Sequence, residues 1–210
     1  MTRAFDKAYR AVRDGVIAGR FPPSRRITEQ EVAEAAGVSR TPVREALRRL
    51  HAEGIVDFRP NLGAMVTAWS ADETEEFFEL GVILESHAAQ RAARRATLAQ
   101  LAVLRGLAER QHAESLSRAE GYLRRIADTN SQFHRALREA AGSARLSQAL
   151  ASILEAPLAL ITFENYSAED LARSAAQHLE IVQALESRDG EWAAAVMRSH
   201  ILAARQTMRS

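Results

Sequence analysis

The stretch Val38-Ser-Arg-Thr-Pro-Val-Arg-Glu-Ala-Leu-Arg-Arg-Leu50 places arginines at 40, 44 and 48, four residues apart, around a proline. Pro42 is compatible with a helix when it lies in the first turn, where its missing N–H would have no intrahelical partner, and Ser39 or Thr41 can supply the cap. From there Val43, Ala46, Leu47 and Leu50 fall on one stripe, while Arg40, Arg44 and Arg48 advance by about 40° per step on another face. The segment predicts a helix with core on one side and guanidinium groups on the other.

The surroundings give this helix a context. Phe5, Ala8, Val12, Val16 and Ile17 recur at helical spacing and predict a helix over 5–18, closed by Gly19 and followed by the turn Phe21-Pro-Pro-Ser. Thr28-Glu-Gln-Glu31 has the form of a capping box, in which the threonine oxygen and the Glu31 carboxylate each satisfy a free amide. It opens a short helix through Val32, Ala33 and Ala36 that stops at Gly37. After Gly54 the period changes: Ile55–Phe58 and Ala64–Thr67 are strand-like runs around Pro60-Asn-Leu-Gly63, which is hairpin chemistry. Three helices and a hairpin make a winged helix-turn-helix. From the capping box Ser70-Ala-Asp-Glu73 onward no strand signal is present. The pattern predicts six helices over about 71–95, 98–114, 118–141, 144–163, 168–187 and 189–208, the fourth kinked or split at Pro157. The predicted fold is mostly α, with a winged helix-turn-helix domain over 1–69 and an all-helical bundle over 70–210.

Composition narrows the class. The chain has 210 residues, 47% of them hydrophobic, which is ample for a packed core. It has no cysteine, which excludes disulfides and thiolate zinc sites. The opening Met-Thr-Arg-Ala-Phe-Asp lacks the apolar core of a signal peptide, and no apolar run approaches a membrane span, so the expected location is the cytoplasm, at the nucleoid, with no membrane partner. The net charge of +1 conceals an asymmetry: residues 1–67 carry 12 Lys+Arg against 8 Asp+Glu, and residues 68–210 carry 16 against 19. The two parts favour different partners. Only Lys7 among the basic residues is lysine, so arginine content by itself reflects composition more than purpose.

A duplex major groove admits one α-helix, and the planar arginine fork bonds two guanine acceptors at once or grips a phosphate. A solvated arginine face on an ordinary helix is the competing reading of the segment in isolation. The short helix before it and the hairpin after it favour double-stranded DNA. Ser39 to Leu50, followed by Glu53-Gly54 and Asn61-Leu-Gly63, resembles the N-terminal domain of GntR-family bacterial transcription regulators over residues 5–67. The resemblance implies that Arg40 and Arg44 contact bases or adjacent phosphates, with Arg48 on the same face. It further implies that Ser39 and Thr41 anchor the DNA backbone and that Gly63 lets the wing tip approach the minor groove. Family wings often read Asn-Arg-Gly, and here the middle residue is Leu62.

In the second part, Asn130 and His134 fall one turn apart inside the apolar stripe of Leu123, Ile126, Ala127, Phe133 and Leu137. His178 shares a stripe with Leu171, Ala175, Val182 and Leu185, and His200 with Ala193, Val196, Met197 and Ala204. A single inward histidine is usually a hydrogen-bonded core residue. Three with an inward asparagine can share a cation, and neutral imidazoles with an amide oxygen suit zinc, nickel or manganese. Asn130-x-x-Phe-His134, Arg173-Ser-x-x-x-His178 and Met197-Arg-Ser-His200 make residues 71–210 similar to the FCD ligand-sensing domain of the FadR subfamily, in its six-helix VanR-like branch. That resemblance implies a divalent transition metal on Asn130, His134, His178 and His200, with a small organic acid or related metabolite as effector. A homodimer on a palindromic operator is expected from symmetry, because one short recognition helix makes too few contacts alone. Where relatives often carry a pocket arginine this chain has Gly81, and Arg173 is the candidate substitute, with a surface role as its alternative.

Two other functions compete with a ligand-responsive regulator. One is a metalloenzyme with a DNA-binding appendage. Against it stand the absence of a His-Glu-x-x-His spacing and of a serine elbow, and no general base is expected beside the candidate ligands, Asp128 being about 200° around the helix from Asn130. The other is a helical domain that only dimerises, with a satisfied polar core.

Overall fold

A computed structural model of the chain describes residues 3–17, 19–59, 62–68, 70–154 and 166–208. The chain divides into two compact units, the first running to Thr74 and the second opening at Glu75.

The first unit is built from α1 (Arg3–Ile17), β1 (Arg26–Ile27), α2 (Glu29–Ala36), α3 (Arg40–Ala52), β2 (Val56–Arg59) and β3 (Gly63–Val66). Its core joins Phe5, Ala8, Val12 and Val16 of α1 to Val32 of α2, Val43, Ala46, Leu47 and Leu50 of α3, and Ile27, Val56, Ala64 and Val66 of the sheet. The stripe predicted for the arginine-bearing helix is thus its buried face. Ser39 is the N-cap by position, but its side chain makes no cap hydrogen bond. At the start of α2 the predicted capping box is half formed. Thr28 Oγ1 accepts from the Glu31 N–H at 3.2 Å, while the Glu31 carboxylate takes the Arg25 guanidinium at 2.7 Å, because a charged partner outbids a backbone amide. Gly37 stops α2 in the left-handed conformation with φ 63°, where a side chain would be strained.

The wing is larger than a hairpin. β2 and β3 pair antiparallel with Val56 opposite Val66 and Arg59 opposite Gly63, and β1 adds to the free edge of β3 with Ile27 opposite Ala64. A two-residue strand inside Arg25-Arg-Ile has no alternation to betray it, and the β3 edge alone creates it. Gly63 has φ +79°, so the backbone itself calls for glycine there, and a Cβ would meet nothing within 4 Å. Residues Pro60 and Asn61 of the predicted turn lie outside the described residues.

In the second unit the described helices are α4 (Ala71–Arg95), α5 (Leu98–Ser117), α6 (Tyr122–Ala140), α7 (Ala144–Leu154), α8 (Ala168–Glu186) and α9 (Gly190–Met208). α5 packs against both α6 and α8, and α8 against α9. The α5–α6 connection is longer than predicted, because Arg118 and Gly121 both adopt left-handed backbone and delay the new helix to Tyr122. The second half of the predicted fourth helix, with Pro157, lies outside the described residues. Ala88, Ala89, Ala92 and Ala93 of α4 are all buried, and Gln90 of the same helix donates to Glu191 at the start of α9 at 2.6 Å. A Cβ on Gly190 would stand 3.0 Å from the Gln90 carbonyl oxygen, and Arg188 donates to the carbonyls of Ala93 and Ala96 at the end of α4.

Reciprocal caps start three of these helices. Ser70 with Glu73 is the predicted one, and Thr97 with Gln100 and Ser167 with Asp170 follow the same pattern. Thr97→Ala removes the acceptor of the Gln100 N–H, 3.2 Å away, and is expected to lower the stability of the helical unit by about 1 kcal/mol. Urea denaturation should show a lower midpoint at unchanged slope.

Candidate functional site

Two sets of side chains stand out, one in each unit. On α3, Arg40, Arg44 and Arg48 are all exposed, opposite the stripe that builds the core. Arg44 donates through Nε to Glu29 Oε1 of α2 at 2.7 Å, and this contact raises its pKa further above the ordinary arginine value. Ser39 and Thr41 are exposed at the start of the same helix. At the wing, Leu62 and Phe58 are exposed apolar side chains, and the Phe58 ring meets His51 edge-on at 5.3 Å. One unit therefore presents a cationic helix face together with a sheet whose turn carries an apolar residue.

In the second unit, α6, α8 and α9 bring His134, His178 and His200 together, with ligating atoms that all lie within 4.8 Å of one another. His178 and His200 are buried and His134 nearly so. Phe133 lies against His178 with ring centroids 4.1 Å apart and planes at 20°, which fixes that imidazole from one side.

Hydrogen bonds orient the rings. His178 Nδ1 lies 2.7 Å from Gln111 Oε1 on α5, and His200 Nδ1 lies 3.3 Å from Gln177 Oε1 on α8. An amide oxygen only accepts, so both imidazoles carry their proton on Nδ1 and turn the Nε2 lone pair away from the glutamines. His134 Nδ1 is 3.5 Å from Glu85 Oε1 on α4, and the same carboxylate oxygen is 3.3 Å from Arg138 Nη1, one turn beyond His134. Several buried atoms here have no hydrogen-bond partner: His178 Nε2, Asn130 Oδ1, Glu85 Oε2, Gln111 Nε2 and Ser174 Oγ. Each such atom costs about 1–3 kcal/mol if nothing binds it. The donor set fits a divalent transition metal: oriented lone pairs, an unpartnered amide oxygen one turn before His134, and outer-shell acceptors behind the rings.

The sequence reading placed Asn130, His134, His178 and His200 inward, and all four are there. It missed Gln111, Gln177 and Glu85. Glu85 and Gln111 were open to the same stripe argument, since Glu85 follows Phe77, Phe78, Gly81 and Val82 on α4 and Gln111 follows Leu104, Leu107 and Ala108 on α5. Gln177 lies off the apolar stripe, and only the fold reveals it. Glu85 brings a carboxylate to within 3.5 Å of His134 Nδ1, and Arg138 engages the same oxygen. Gly81 is buried one turn before Glu85. Arg173 is exposed and bound to Asp170 at 2.5 Å, the surface alternative, although its charge still contributes to lowering the His200 pKa.

The two units define a class of protein: a winged helix-turn-helix joined in one chain to a helical domain with a buried, metal-compatible polar core. The family model of bacterial regulatory proteins of the gntR family matches residues 5–66, and that of the FCD domain matches residues 76–203; the chain belongs to the GntR family of transcription regulators, in the group that carries an FCD ligand-sensing domain. It is 31% identical over 186 residues to the Nta operon transcriptional regulator of Aminobacter aminovorans, covering 88% of this chain and 85% of that protein. To an HTH-type regulator in the ttuE-ttuC' intergenic region of Agrobacterium vitis it is 41% identical over 86 residues, 41% of this chain and half of that protein. The structure of E. coli McbR/YncC shares the fold, with a TM-score of 0.78 over the full length of both chains at 20% identity. Both sequence relatives are named as transcriptional regulators.

Burial holds the His178 pKa well below its ordinary value, and the neighbouring histidines add to it; burial, then His134 and Arg173, push His200 down to about 3. Both rings are therefore neutral and able to ligate at pH 7. A base whose folded pKa is depressed lets the unfolded chain bind protons first, so this stability is present above about pH 6.5 and lost as pH falls toward the folded values. The metal-free protein is expected to lose up to about 1.4 kcal/mol per pH unit for each of the two rings below pH 6.5. Urea denaturation at pH 7.5 and 5.5, with His178→Phe as control, measures it.

Proposed function

We propose that this regulator binds a palindromic operator as a homodimer and changes its affinity when a small organic acid or related metabolite enters a metal-assisted site in the helical domain. In this reading residues 1–69 carry DNA binding, residues 70–210 carry ligand binding and dimerisation, and the protein works at the nucleoid in the cytoplasm. The observation that carries the sensing half is the set of unpartnered polar atoms around three converging imidazoles, since a core that merely dimerised would pair them within the protein. Asn130, His134, His178 and His200 would hold zinc, nickel or manganese, which supplies a Lewis-acidic point of attachment for a carboxylate. Gln111, Gln177 and Glu85 keep the imidazoles turned toward it. Gly81 leaves room on α4 for the bulk of the effector, and Arg173 stands at the margin.

Protein purified without chelators or a histidine tag should contain about one divalent transition metal per chain, and His134→Ala or His178→Ala should lose it. Chelation should lower the melting temperature by linkage, as for any ligand that binds only the folded state. Elemental analysis that finds no metal would return the cluster to an ordinary polar core.

For the other half, Arg40, Arg44 and Arg48 are the DNA-reading side chains, Ser39 and Thr41 anchor the helix end on the backbone, and Gly63 shapes the wing turn. One short helix makes too few contacts alone, and two on a two-fold axis read half-sites about one helical turn apart. Arg40→Ala and Arg44→Ala should each cost about 1–3 kcal/mol per half-site, counted twice in the dimer, with the fold unchanged by circular dichroism. Full affinity in both variants, on an operator selected with the wild-type chain at fixed salt, would overturn the assignment of the reading face.

A further inference from the structure

Among the described residues, Arg40 and Arg48 make no hydrogen bond or ion pair, while Arg44 makes one. Its partner, Glu29, is the first residue of α2 and lies 15 positions earlier in the chain. The bond uses Nε alone. An arginine has five N–H donors, one on Nε and two on each Nη, and the Nη1–Nη2 edge is the one that lies end-on along the side chain. With Nε committed to a carboxylate, that edge is left with no partner while the torsions behind it are restrained. A guanine presents O6 and N7 side by side in the major groove and takes just such a planar pair of donors. Phosphate contact needs no such restraint, because a phosphate offers acceptors in many directions.

The placement of Glu29 makes the bond more than a chance surface pair. It sits on the helix that precedes the recognition helix, with its backbone fixed by the Thr28 cap, in a first turn where a carboxylate is also favoured by the helix dipole. The other acid of that turn, Glu31, is engaged by Arg25, so the two carboxylates take different arginines. Glu29 is also a negative charge on a surface read as facing phosphates, where it would weaken binding to any sequence unless it contributed something in return.

We infer that Glu29 is a positioning residue for base recognition: it holds Arg44 by Nε and presents the Nη1–Nη2 edge to a guanine, raising discrimination between sequences at some cost in general DNA affinity. The inference rests on the DNA-reading role proposed for α3. A tethered fork loses less freedom on binding than a free one, and a displaced base pair leaves its donors unpaired, so both effects act on specificity.

The test uses the full-length chain and a duplex selected from a random pool by the wild-type protein. Affinities at one salt concentration are measured for that duplex, each of its single-base-pair variants and an unrelated duplex. The proteins are wild type, Glu29→Ala, Glu29→Gln, Arg44→Ala and the double variant with both alanines. Glu29→Ala should lose roughly tenfold or more of the preference for the G·C pair that Arg44→Ala identifies, and should bind the unrelated duplex as well as or better than wild type. Glu29→Gln keeps an acceptor oxygen at the same reach and should restore most of that preference. In the Arg44→Ala background the Glu29→Ala change should have no further effect on it. An unchanged base-pair preference in Glu29→Ala, or an additive loss in the double variant, would overturn the inference. So would an equal rise in affinity for all duplexes, which would make Glu29 a repulsive charge and nothing more. If Arg44→Ala itself leaves every preference intact, the reading face proposed for α3 fails; if it abolishes one while Glu29→Ala does not, only the role of Glu29 fails.

Discussion

Imidazoles taken out of water must have their nitrogens answered, and the second unit is arranged around that requirement. His178 is fully buried, stacked on Phe133 and bonded through Nδ1 to Gln111, yet its Nε2 has no partner. The glutamine is itself fully buried on α5, the helix that packs against both α6 and α8. One polar contact thus links the helix at the centre of the packing to an imidazole at the centre of the site. Removing either partner leaves a buried group unsatisfied, which costs more than the bond contributes. A nonpolar core could be built at these positions with less difficulty. That the chain keeps three histidines, an asparagine and two glutamines there is what an economy of folding alone does not explain.

The winged unit solves a different problem, that of giving one short helix two demanding faces. Val43, Ala46, Leu47 and Leu50 attach α3 to α1 and the sheet, so the arginine face is presented on a rigid element. Its C-terminal end is further secured: Glu53, just past the helix, accepts from Tyr9 of α1 at 2.7 Å and from Arg49 at 2.6 Å. The exposed face carries no such constraint except at Arg44. Backbone placement is thus set by hydrophobic burial, and side-chain placement is left to individual polar contacts, which suits a surface that must adapt to a second molecule.

The sequence revealed what periodicity can reveal. The α3 stripe, the six-helix pattern and the inward histidines all follow from 3.6-residue spacing, and in the described residues they lie close to where that spacing puts them. Contacts between distant segments were not legible. β1 exists because β3 offers an edge, Gln177 faces His200 because α8 and α9 pack together, and Glu29 reaches Arg44 because α2 and α3 turn toward each other. Glu31 shows the same limit from the other side. Its spacing from Thr28 is right for a reciprocal cap, but Arg25 is nearby in space and carries a full charge. Local signals predict local structure until a stronger partner arrives from elsewhere in the chain.

Charge bookkeeping around the histidine cluster bears on what such a site would recognise. The carboxylate that approaches it, Glu85, is shared between His134 and the guanidinium of Arg138, so its charge is largely offset before it reaches the imidazoles. Neutral His178 and His200 and the amide of Asn130 contribute none. A divalent ion on these ligands would keep nearly its whole charge in a low-dielectric surrounding, an arrangement that costs several kcal/mol unless a counter-charge arrives with the effector. An anionic effector would then stabilise the ion and be stabilised by it, and neither would bind as well alone. Coupling of that kind is reciprocal, so a change the effector makes in operator affinity must be matched by the change that operator makes in effector affinity, commonly about 5- to 150-fold. Had Asn130 been an aspartate, part of the counter-charge would have been built into the protein, and the dependence of the ion on the effector would have been correspondingly weaker.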